Sequence, residues 1–282
     1  MPFRRVRVGH AGRAMIGRNG QGQSAFEKAR RFYEAPDGTR WGRDTMPELE
    51  RSLLGWVERS SFERDRVLVE LGSGKGAFRH FSRLGMYLSI DLSHEALRRY
   101  TGPPYALQAT IEAVPLKSRS ADFVFSIATL EHVPNPQAVL EEIDRILKPM
   151  GTAFLAPSWF CRPWAADGLP VRALRDLDFA NKIRKALIPL RNSVLWRSMF
   201  VMPRRLFREV QFHCAPSEWR LWYRRLQPNL EEYVYTDCDA FSSLDPHEVA
   251  LFFLRRGYKI LSGRSFARRM LLRHEALVVK KA

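Results

Sequence analysis

A glycine-rich stretch has the residue types and the spacing of a ligand-binding turn. It contains Gly72, Ser73, Gly74 and Gly76, and it directly follows the mainly apolar run 67–71, which carries Glu70 near its end. Glycines let the backbone turn sharply and approach a ligand closely, where a Cβ atom would collide. The apolar run is typical of a strand that is covered on both faces. We therefore expect a nucleotide-type ligand at the end of this strand, with an ordinary strand-to-helix turn as the alternative.

A second acid, Asp91, ends the next apolar run and lies 21 residues after Glu70. In a doubly wound sheet the carboxyl ends of neighbouring strands meet at one edge, which brings this carboxylate beside the glycine turn. Its two oxygens can accept hydrogen bonds from both hydroxyls of a ribose. A solvated acid at a strand end is the alternative.

Both acids need elements that hold strand ends together, and the sequence alternates strand-like with helix-like segments. The predicted strands are 67–71, 86–90, 105–109, 121–127, 152–156, 258–261 and 275–280. Helices are predicted to follow the first strand over 76–84 and to begin near Thr45, at Pro134 to Pro136 and at Asp245. The alternation indicates an α/β fold with a parallel, doubly wound sheet.

The cysteine pattern and the hydropathy restrict the class of protein. Cys161, Cys214 and Cys238 are widely spaced and form no metal-ligand pattern. We therefore expect no metal, and reduced thiols in a cytoplasmic protein. No stretch reaches the roughly 18 uninterrupted apolar residues that a membrane-spanning helix needs.

Four segments in order resemble the motifs of class I S-adenosylmethionine-dependent methyltransferases of the type 11-like group. They are Val67 to Phe78, Gln108 to Leu116, Ala121 to Pro134 and Arg145 to Gly151. The resemblance implies a Rossmann-like sheet of seven strands, mostly parallel with the last strand antiparallel, and S-adenosyl-L-methionine as the cofactor. The Gly and Arg content of residues 1–23, with little apolar periodicity, predicts a flexible basic arm, and the alternation of strands and helices breaks over 158–244. The resemblance implies a methyltransferase domain (24–157 and 245–282), with 158–244 as a helical acceptor-recognition insertion after strand 5.

The resemblance also assigns cofactor-binding residues. Gly72, Ser73, Gly74 and Gly76 would lie against the methionine part, with Glu70 orienting the loop. Asp91 would take the ribose, Leu92 would pack on the adenine, and Ile111 and Glu112 would lie at the adenine edge. Thr110 stands where members of this family often have an acid that accepts from the adenine amino group, and a hydroxyl accepts more weakly.

His132 is the predicted general base if the acceptor is a hydroxyl, because the loop after the fourth strand faces the site. Packing beside the cofactor is the alternative role. Asp237, Asp239 and His213 are weaker candidates. A dinucleotide fingerprint is formally present but does not account for Glu70. The segment 127–130 lacks the Asn/Asp-Pro-Pro motif of enzymes that methylate exocyclic base amines, which argues against that activity.

The insertion is rich in Trp, Arg and Pro, and Trp159, Phe160 and Trp164 are expected at the edge of the cavity. Much of the net charge of +16 lies in the arm and in an acid-free run of the insertion. That run contains Lys182, Arg184, Lys185, Arg191, Arg197, Arg204, Arg205 and Arg208. A polyanion is the natural partner, and an anionic membrane surface at the inner face is favoured over nucleic acid.

The insertion and the segment 233–246 resemble, respectively, ubiquinone-biosynthesis O-methyltransferases and methyltransferases of bacterial surface-glycan synthesis. They imply O-methylation of a small or lipid-linked acceptor, either the sugar of a surface glycan or a prenylated phenol. An RNA methyltransferase and a non-catalytic cofactor-binding protein remain alternatives. The sequence identifies neither the acceptor nor the oligomeric state.

Overall fold

The fold is built on a seven-stranded sheet. The computed structural model describes residues 20–34, 47–60, 66–100, 105–214, 219–263 and 265–282. Its strands are β1 (Val67–Leu71), β2 (Met86–Asp91), β3 (Ala106–Gln108), β4 (Ala121–Ile127), β5 (Leu147–Ala156), β6 (Arg224–Arg225), β7 (Ser242–Ser243), β8 (Lys259–Ile260) and β9 (Leu277–Lys280). The large sheet has the order β3-β2-β1-β4-β5-β9-β8, and β6 pairs with β7 separately.

Strand direction agrees with the predicted fold class. β1 to β5 pair in parallel, whereas β9 runs antiparallel between β5 and β8. The chain crosses from β1 outward to β2 and β3, and then returns to β4 on the other side of β1. This reversal opens a crevice at the carboxyl ends of β1 and β4, where ligands bind in sheets of this kind.

The helices cover both faces of the sheet, which is why its central strands are apolar throughout rather than alternating. They are α1 (Gly20–Tyr33), α2 (Pro47–Arg59), α3 (His94–Arg98), α4 (Pro136–Ile146), α5 (Phe179–Ala186), α6 (Ile188–Asn192), α7 (Val194–Cys214), α8 (Pro246–Arg255) and α9 (Phe266–Leu271). Ile143 and Phe252 belong to one buried cluster together with Val124, and Leu53 and Phe81 belong to a second buried cluster. The predicted starts of α4 and α8 are confirmed, with Asn135 and Asp245 as N-caps.

Two predicted elements differ from the structure. The segment after β1 forms turns and then a short 3₁₀ helix, Arg79–Leu84, because Gly74 and Gly76 have positive φ angles that no α-helix accommodates. β5 begins at Leu147 rather than at residue 152, with a register shift against β4 and a positive φ at Met150. Thr45, the predicted cap of α2, lies outside the described residues.

Within the predicted insertion, α7 is attached to α8 by buried ion pairs. Arg205 forms a bidentate pair with Asp245, and Arg208 forms one with Glu248. These arginines therefore do not contribute to the basic surface that the sequence predicted for 182–208. Among the described residues, no helix is long and apolar enough to cross a membrane. Most of the predicted arm lies outside the described residues, and α1 begins within it at Gly20.

Candidate functional site

A cavity of about 500 Å³ opens at the carboxyl ends of β1, β2 and β4. Its wall brings together nearly all the residues that the sequence predicted for the site: Glu70, Gly72, Ser73, Gly74, Asp91, Leu92, Thr110, Ile111, Glu112 and His132. Gly76 lies beside this wall, where its φ of +83° and the nearby Tyr100 ring leave no room for a Cβ atom. The roles of these residues stay predictions.

The glycine turn is fixed by backbone hydrogen bonds to the neighbouring strand. The Gly72 N–H donates to the Ile90 carbonyl at 2.8 Å, which closes the turn against the end of β2. Gly72 has a φ of +79°, and a Cβ atom there would lie 2.2 Å from Thr129 Cγ2. Ser73 Oγ is buried and has no hydrogen-bond partner among the described residues. A tight cradle with a free buried hydroxyl fits the methionine end of the implied cofactor.

Asp91 connects the glycine turn to the start of α3. One carboxylate oxygen accepts from the Gly74 N–H at 2.7 Å, and the other accepts from the Ser93 N–H at 2.8 Å. Burial raises the pKa of Asp91, although both N–H groups oppose this shift. Each oxygen keeps a second lone pair, so the carboxylate can hold the turn and still accept from a ligand hydroxyl.

Glu70 is a buried acid at the base of the cavity. Its carboxyl group accepts a short hydrogen bond from the Tyr87 hydroxyl. Burial raises the pKa of Glu70 to about 8, and the bond from Tyr87 opposes the shift. Glu70 is therefore mainly protonated at neutral pH in the cofactor-free protein.

The predicted adenine edge is held by one hydrogen bond within its loop and one from the start of α4. The Glu112 N–H donates to Thr110 Oγ1 at 3.2 Å, and the Glu112 carboxylate accepts from the Asn135 N–H at 2.8 Å. Ile111 is buried between them in the chain. The Thr110 hydroxyl oxygen is thus already an acceptor within the loop.

The helix α1 supplies one wall of the cavity, and the mixture of aromatic and charged residues over 26–41 predicted a short helix and loop near the mouth of a site. Phe26, Ala29 and Tyr33 line the cavity. The end of α1 is fixed to the start of α3, because Ser93 Oγ donates to the Tyr33 carbonyl at 2.8 Å and Glu34 accepts from the His94 N–H at 3.0 Å. Aromatic content near residue 33 was the available signal, but a contact across sixty residues has no local pattern.

His132 lies in a cluster of acids. Its Nδ1 is 3.3 Å from Asp239 Oδ2, and Asp239 also accepts a short hydrogen bond from the Tyr33 hydroxyl. Its Nε2 is 3.7 Å from Glu131 Oε1. Burial disfavours the charged imidazole, but the carboxylates of Asp239, Glu131 and Asp237 outweigh it and raise the pKa of His132.

Ser158 organises the other side of this cluster. Its N–H donates to Glu131 Oε1 at 2.8 Å, and its Oγ donates to Asp237 Oδ1 at 3.1 Å. Asp237 and Asp239 line the cavity, as the sequence suggested weakly, whereas Glu131 had no predicted role. Burial raises the pKa of Glu131.

One sequence-based expectation for this site is wrong, and one weaker candidate, His213, has the solvated position that was its alternative. Trp159 packs in the core and donates its Nε1–H to the Glu275 carbonyl at 3.1 Å, so it does not form the edge of the cavity; Phe160 and Trp164 are also absent from the described lining. His213 is exposed near the end of α7, 3.7 Å from Glu209, and lies outside the cavity wall.

Comparison with known proteins agrees with this geometry. Residues 69–155 match a family described as methyltransferase domain. An uncharacterized methyltransferase of Mycobacterium bovis is 33% identical over 142 residues, covering 47% of this chain and 56% of that protein. The ubiquinone biosynthesis O-methyltransferase of Cupriavidus pinatubonensis is 28% identical over 123 residues, covering 39% of this chain and 49% of that one. The crystal structure of a SAM-dependent methyltransferase from Aquifex aeolicus is 17% identical, with a TM-score of 0.34, and covers 42% of this chain and 76% of that one.

The chain spans about half the length of the curated relatives it matches. The family match covers the strands and turns that build the cofactor side of the cavity. Residues 69–155 thus form the central part of a class I methyltransferase domain, whose cofactor is S-adenosyl-L-methionine. The resemblance noted in the sequence is confirmed.

Proposed function

We propose that this protein transfers a methyl group from S-adenosyl-L-methionine to a hydroxyl of a small or lipid-linked acceptor. The observation that carries the proposal is the wall of one cavity. This wall contains the glycine turn and Asp91, and it also contains an imidazole beside a carboxylate. The first pair suits the cofactor, and the second suits an acceptor that must lose a proton.

When it is bound, the cofactor supplies an electrophilic methyl group on a sulfonium sulfur. The acceptor oxygen forms the new O–C bond while the C–S bond breaks with its electron pair going to sulfur. The chain contributes by aligning the reactants, which can lower the activation free energy by about 7–11 kcal/mol in well-oriented reactions. The turn at Gly72 and the carboxylate of Asp91 would provide this alignment on the cofactor side.

The hydroxyl proton would pass to His132 in its neutral form. Asp239 lies 3.3 Å from Nδ1, so it would orient the ring and stabilise the imidazolium that results. The contribution of such a base is roughly 10²–10⁴-fold. Asp237 and Ser158 offer further oxygen atoms that can accept hydrogen bonds at this end of the cavity. They support a polyhydroxylated methyl acceptor, such as a surface-glycan sugar, over a prenylated phenol.

A lipid-linked acceptor is supported by the surface of the insertion. α5 exposes Phe179 and Ile183 one turn apart, with Lys182 and Arg184 beside them. Exposed apolar side chains flanked by cations suit the interface of an anionic membrane. One relative of this chain is named as a ubiquinone biosynthesis O-methyltransferase. We propose that the protein binds the membrane peripherally.

RNA is the less supported acceptor. The nucleic-acid alternative depends on the full charge of the run 182–208. Arg205 and Arg208 are buried in ion pairs with α8, and Arg204 also pairs with Asp245. Apolar exposure on α5 and α7 adds nothing to binding of a phosphate backbone.

Calorimetric titration with S-adenosyl-L-methionine tests the cofactor side. Asp91→Asn keeps the size of the side chain but loses the charge of a carboxylate that serves the turn and would serve the ribose. A charge-assisted bond contributes about 1.5–3 kcal/mol, so we expect roughly 10- to 100-fold weaker binding. Asp144→Asn is the matched control, because Asp144 accepts from Tyr258, pairs with Lys281 and lies outside the described lining of the cavity. Unchanged affinity in a folded Asp91→Asn protein would contradict the assignment.

A further inference from the structure

We propose that Glu131, His132 and Asp237 form a binding site for one divalent cation beside the cofactor cavity. One nitrogen or oxygen atom from each of the three side chains lies within 4.8 Å of those from the other two. Metal–oxygen and metal–nitrogen bonds of roughly 2.0–2.6 Å allow a single ion to bind ligand atoms up to about 5 Å apart. An imidazole with two carboxylates suits a first-row cation such as Mn²⁺. Cation binding at this site is independent of the proposed function, but the catalytic role of the cation rests on the proposed function.

Glu131 shows that this cluster is incomplete without a ligand. Its side chain is fully buried, and its Oε1 accepts from Ser158. Its Oε2 is equally enclosed and has no hydrogen-bond partner among the described residues. A buried carboxylate oxygen without a partner is costly, and a cation between the three side chains would compensate it.

The two carboxylates are already oriented for ligation. Ser158 holds one oxygen of each, through its N–H to Glu131 Oε1 and its Oγ to Asp237 Oδ1. The second oxygen of Glu131, Oε2, has no hydrogen-bond partner among the described residues. Ligating carboxylates in metal sites are typically fixed by hydrogen bonds of this kind.

The imidazole has a carboxylate beside each ring nitrogen, and its Nδ1 has no hydrogen-bond partner among the described residues. Asp239 lies 3.3 Å from Nδ1 at ion-pair distance, which leaves Nε2 on the side of Glu131. Asp239 is itself fixed by the hydroxyl of Tyr33. Such an outer carboxylate sets the tautomer of a ligating histidine, and its loss typically weakens metal binding 10- to 100-fold.

The position of the cluster gives the cation a function. His132 and Asp237 line the cavity while Glu131 is buried. Open coordination positions would therefore face the acceptor. A hydroxyl bound there would have a lowered pKa and would release its proton to water, so that its oxygen could form the new O–C bond as the C–S bond breaks. In that state His132 acts as a ligand and not as the base, and an acceptor with two adjacent oxygens is favoured.

The site had no signal in the sequence. Glu131 and His132 are adjacent, but Asp237 follows far along the chain in a segment with no helix or strand. The sequence predicted no metal, because that expectation depended on local spacing of cysteines and histidines. The fold brings the third ligand across the cavity.

The test is titration of the full chain with Mn²⁺ alone, after treatment with a chelator. Free Mn²⁺ is measured by electron paramagnetic resonance. We expect one ion per chain, with binding at least tenfold weaker in Glu131→Gln and in Asp237→Asn. Asn is suited to position 237 because Asp237 has a φ of +59°, which Asn tolerates. Asp239→Asn should weaken binding 10- to 100-fold as an outer partner.

Asp176→Asn, an exposed acid beside Arg175 on the insertion, is the control and should bind Mn²⁺ as the unaltered protein does. Absence of stoichiometric Mn²⁺, or equal affinity in Glu131→Gln, Asp237→Asn and the control, overturns the inference. Binding of S-adenosyl-L-methionine is measured on the same samples. Binding of the cofactor without binding of Mn²⁺ would contradict this inference alone. Binding of Mn²⁺ without binding of the cofactor would contradict the proposed function.

Discussion

The raised pKa of Glu70 in the folded protein makes the free energy of unfolding depend on pH. Its pKa is raised by burial to about 8 from an ordinary value of 4.5. Between these pH values the folded state holds a proton that the unfolded state has released. The free energy of unfolding therefore falls as pH rises through this window, by at most about 1.4 kcal/mol per pH unit. Urea unfolding from pH 5 to pH 9 measures this slope.

Glu70→Gln removes the titrating proton and keeps the shape, so its stability should change less across the same window. Glu141→Gln, on the exposed side of α4, is the matched control and should keep the slope of the unaltered protein. Identical slopes in Glu70→Gln and the unaltered protein would show that Glu70 is not the source.

Gly72 and Gly257 separate two reasons for requiring glycine. Both have φ angles near +80°, but a Cβ atom at Gly72 would collide with Thr129, while one at Gly257 meets nothing within 4 Å. Gly257→Ala should cost about 1–2 kcal/mol from backbone strain alone. Gly72→Ala should cost more and also weaken binding of S-adenosyl-L-methionine, measured by calorimetry. Equal losses of stability with intact cofactor binding would mean that the close approach to Thr129 has no consequence.

At this scale the sequence predicted residues whose partners are near in the chain or fixed by strand ends. Gly74 and Asp91 meet because β1 and β2 are neighbouring parallel strands, which their apolar runs indicated. Tyr33 and Asp239 could not be predicted, because their contact joins a helix before the sheet to a loop after α7. Side-chain types alone do not determine which distant acids share a cavity.

The pairing of α7 with α8 makes a strong prediction about stability. Burial would raise the pKa of Asp245, but Arg205 and Arg204 outweigh it and lower this pKa. Arg205→Ala leaves the buried carboxylate partly uncompensated and should cost about 3–5 kcal/mol in urea unfolding. The contribution of the pair is present above the ordinary carboxyl pKa of 3.8 and is lost as pH falls through the lowered value.

Arg184→Ala is the control for this measurement, because Arg184 is exposed on α5 and pairs with Asn181. It should change the free energy of unfolding by less than about 0.5 kcal/mol. A similar small effect for Arg205→Ala would mean that α7 is not held by this ion pair.

Elements were predictable where periodicity and capping agree. Asn135 and Asp245 cap helices as their positions before Pro136 and Pro246 indicate. The helix predicted after β1 is a short 3₁₀ helix, because the residues before it have the positive φ angles of the glycine turn. The early start of β5 depends on pairing with β4 across a register shift, which no local pattern reveals.

For the whole molecule, some basic residues form internal contacts and others are exposed, and composition does not distinguish the two groups. Of the basic run, Arg204, Arg205 and Arg208 face acids of α8, and Lys185 donates to the carbonyls of Pro170 and Arg172. Lys182 and Arg184 remain exposed. The proposed membrane surface is therefore mainly apolar with a modest positive charge, rather than strongly basic.

Such a surface makes a specific prediction for vesicle binding. Phe179 is 77% exposed and Leu195 is 84% exposed, so neither stabilises the fold much. Burying a large apolar side chain contributes about 1.5–3 kcal/mol, so Phe179→Glu and Leu195→Glu should each weaken co-sedimentation with phosphatidylglycerol vesicles about tenfold or more. Leu271→Glu alters an exposed leucine on α9 and should bind as the unaltered protein does.

Salt distinguishes the apolar from the ionic part of this binding. Lys182 and Arg184 should each contribute about 1 kcal/mol near an anionic surface, and screening removes that part within a Debye length of about 8 Å at 0.15 M salt. We therefore expect binding to phosphatidylglycerol that weakens but persists as salt is raised, and weaker binding to phosphatidylcholine at low salt. No co-sedimentation at low salt, or equal losses in Leu195→Glu and Leu271→Glu, would contradict a membrane role for α5 and α7 and favour an acceptor that reaches the cavity from solution.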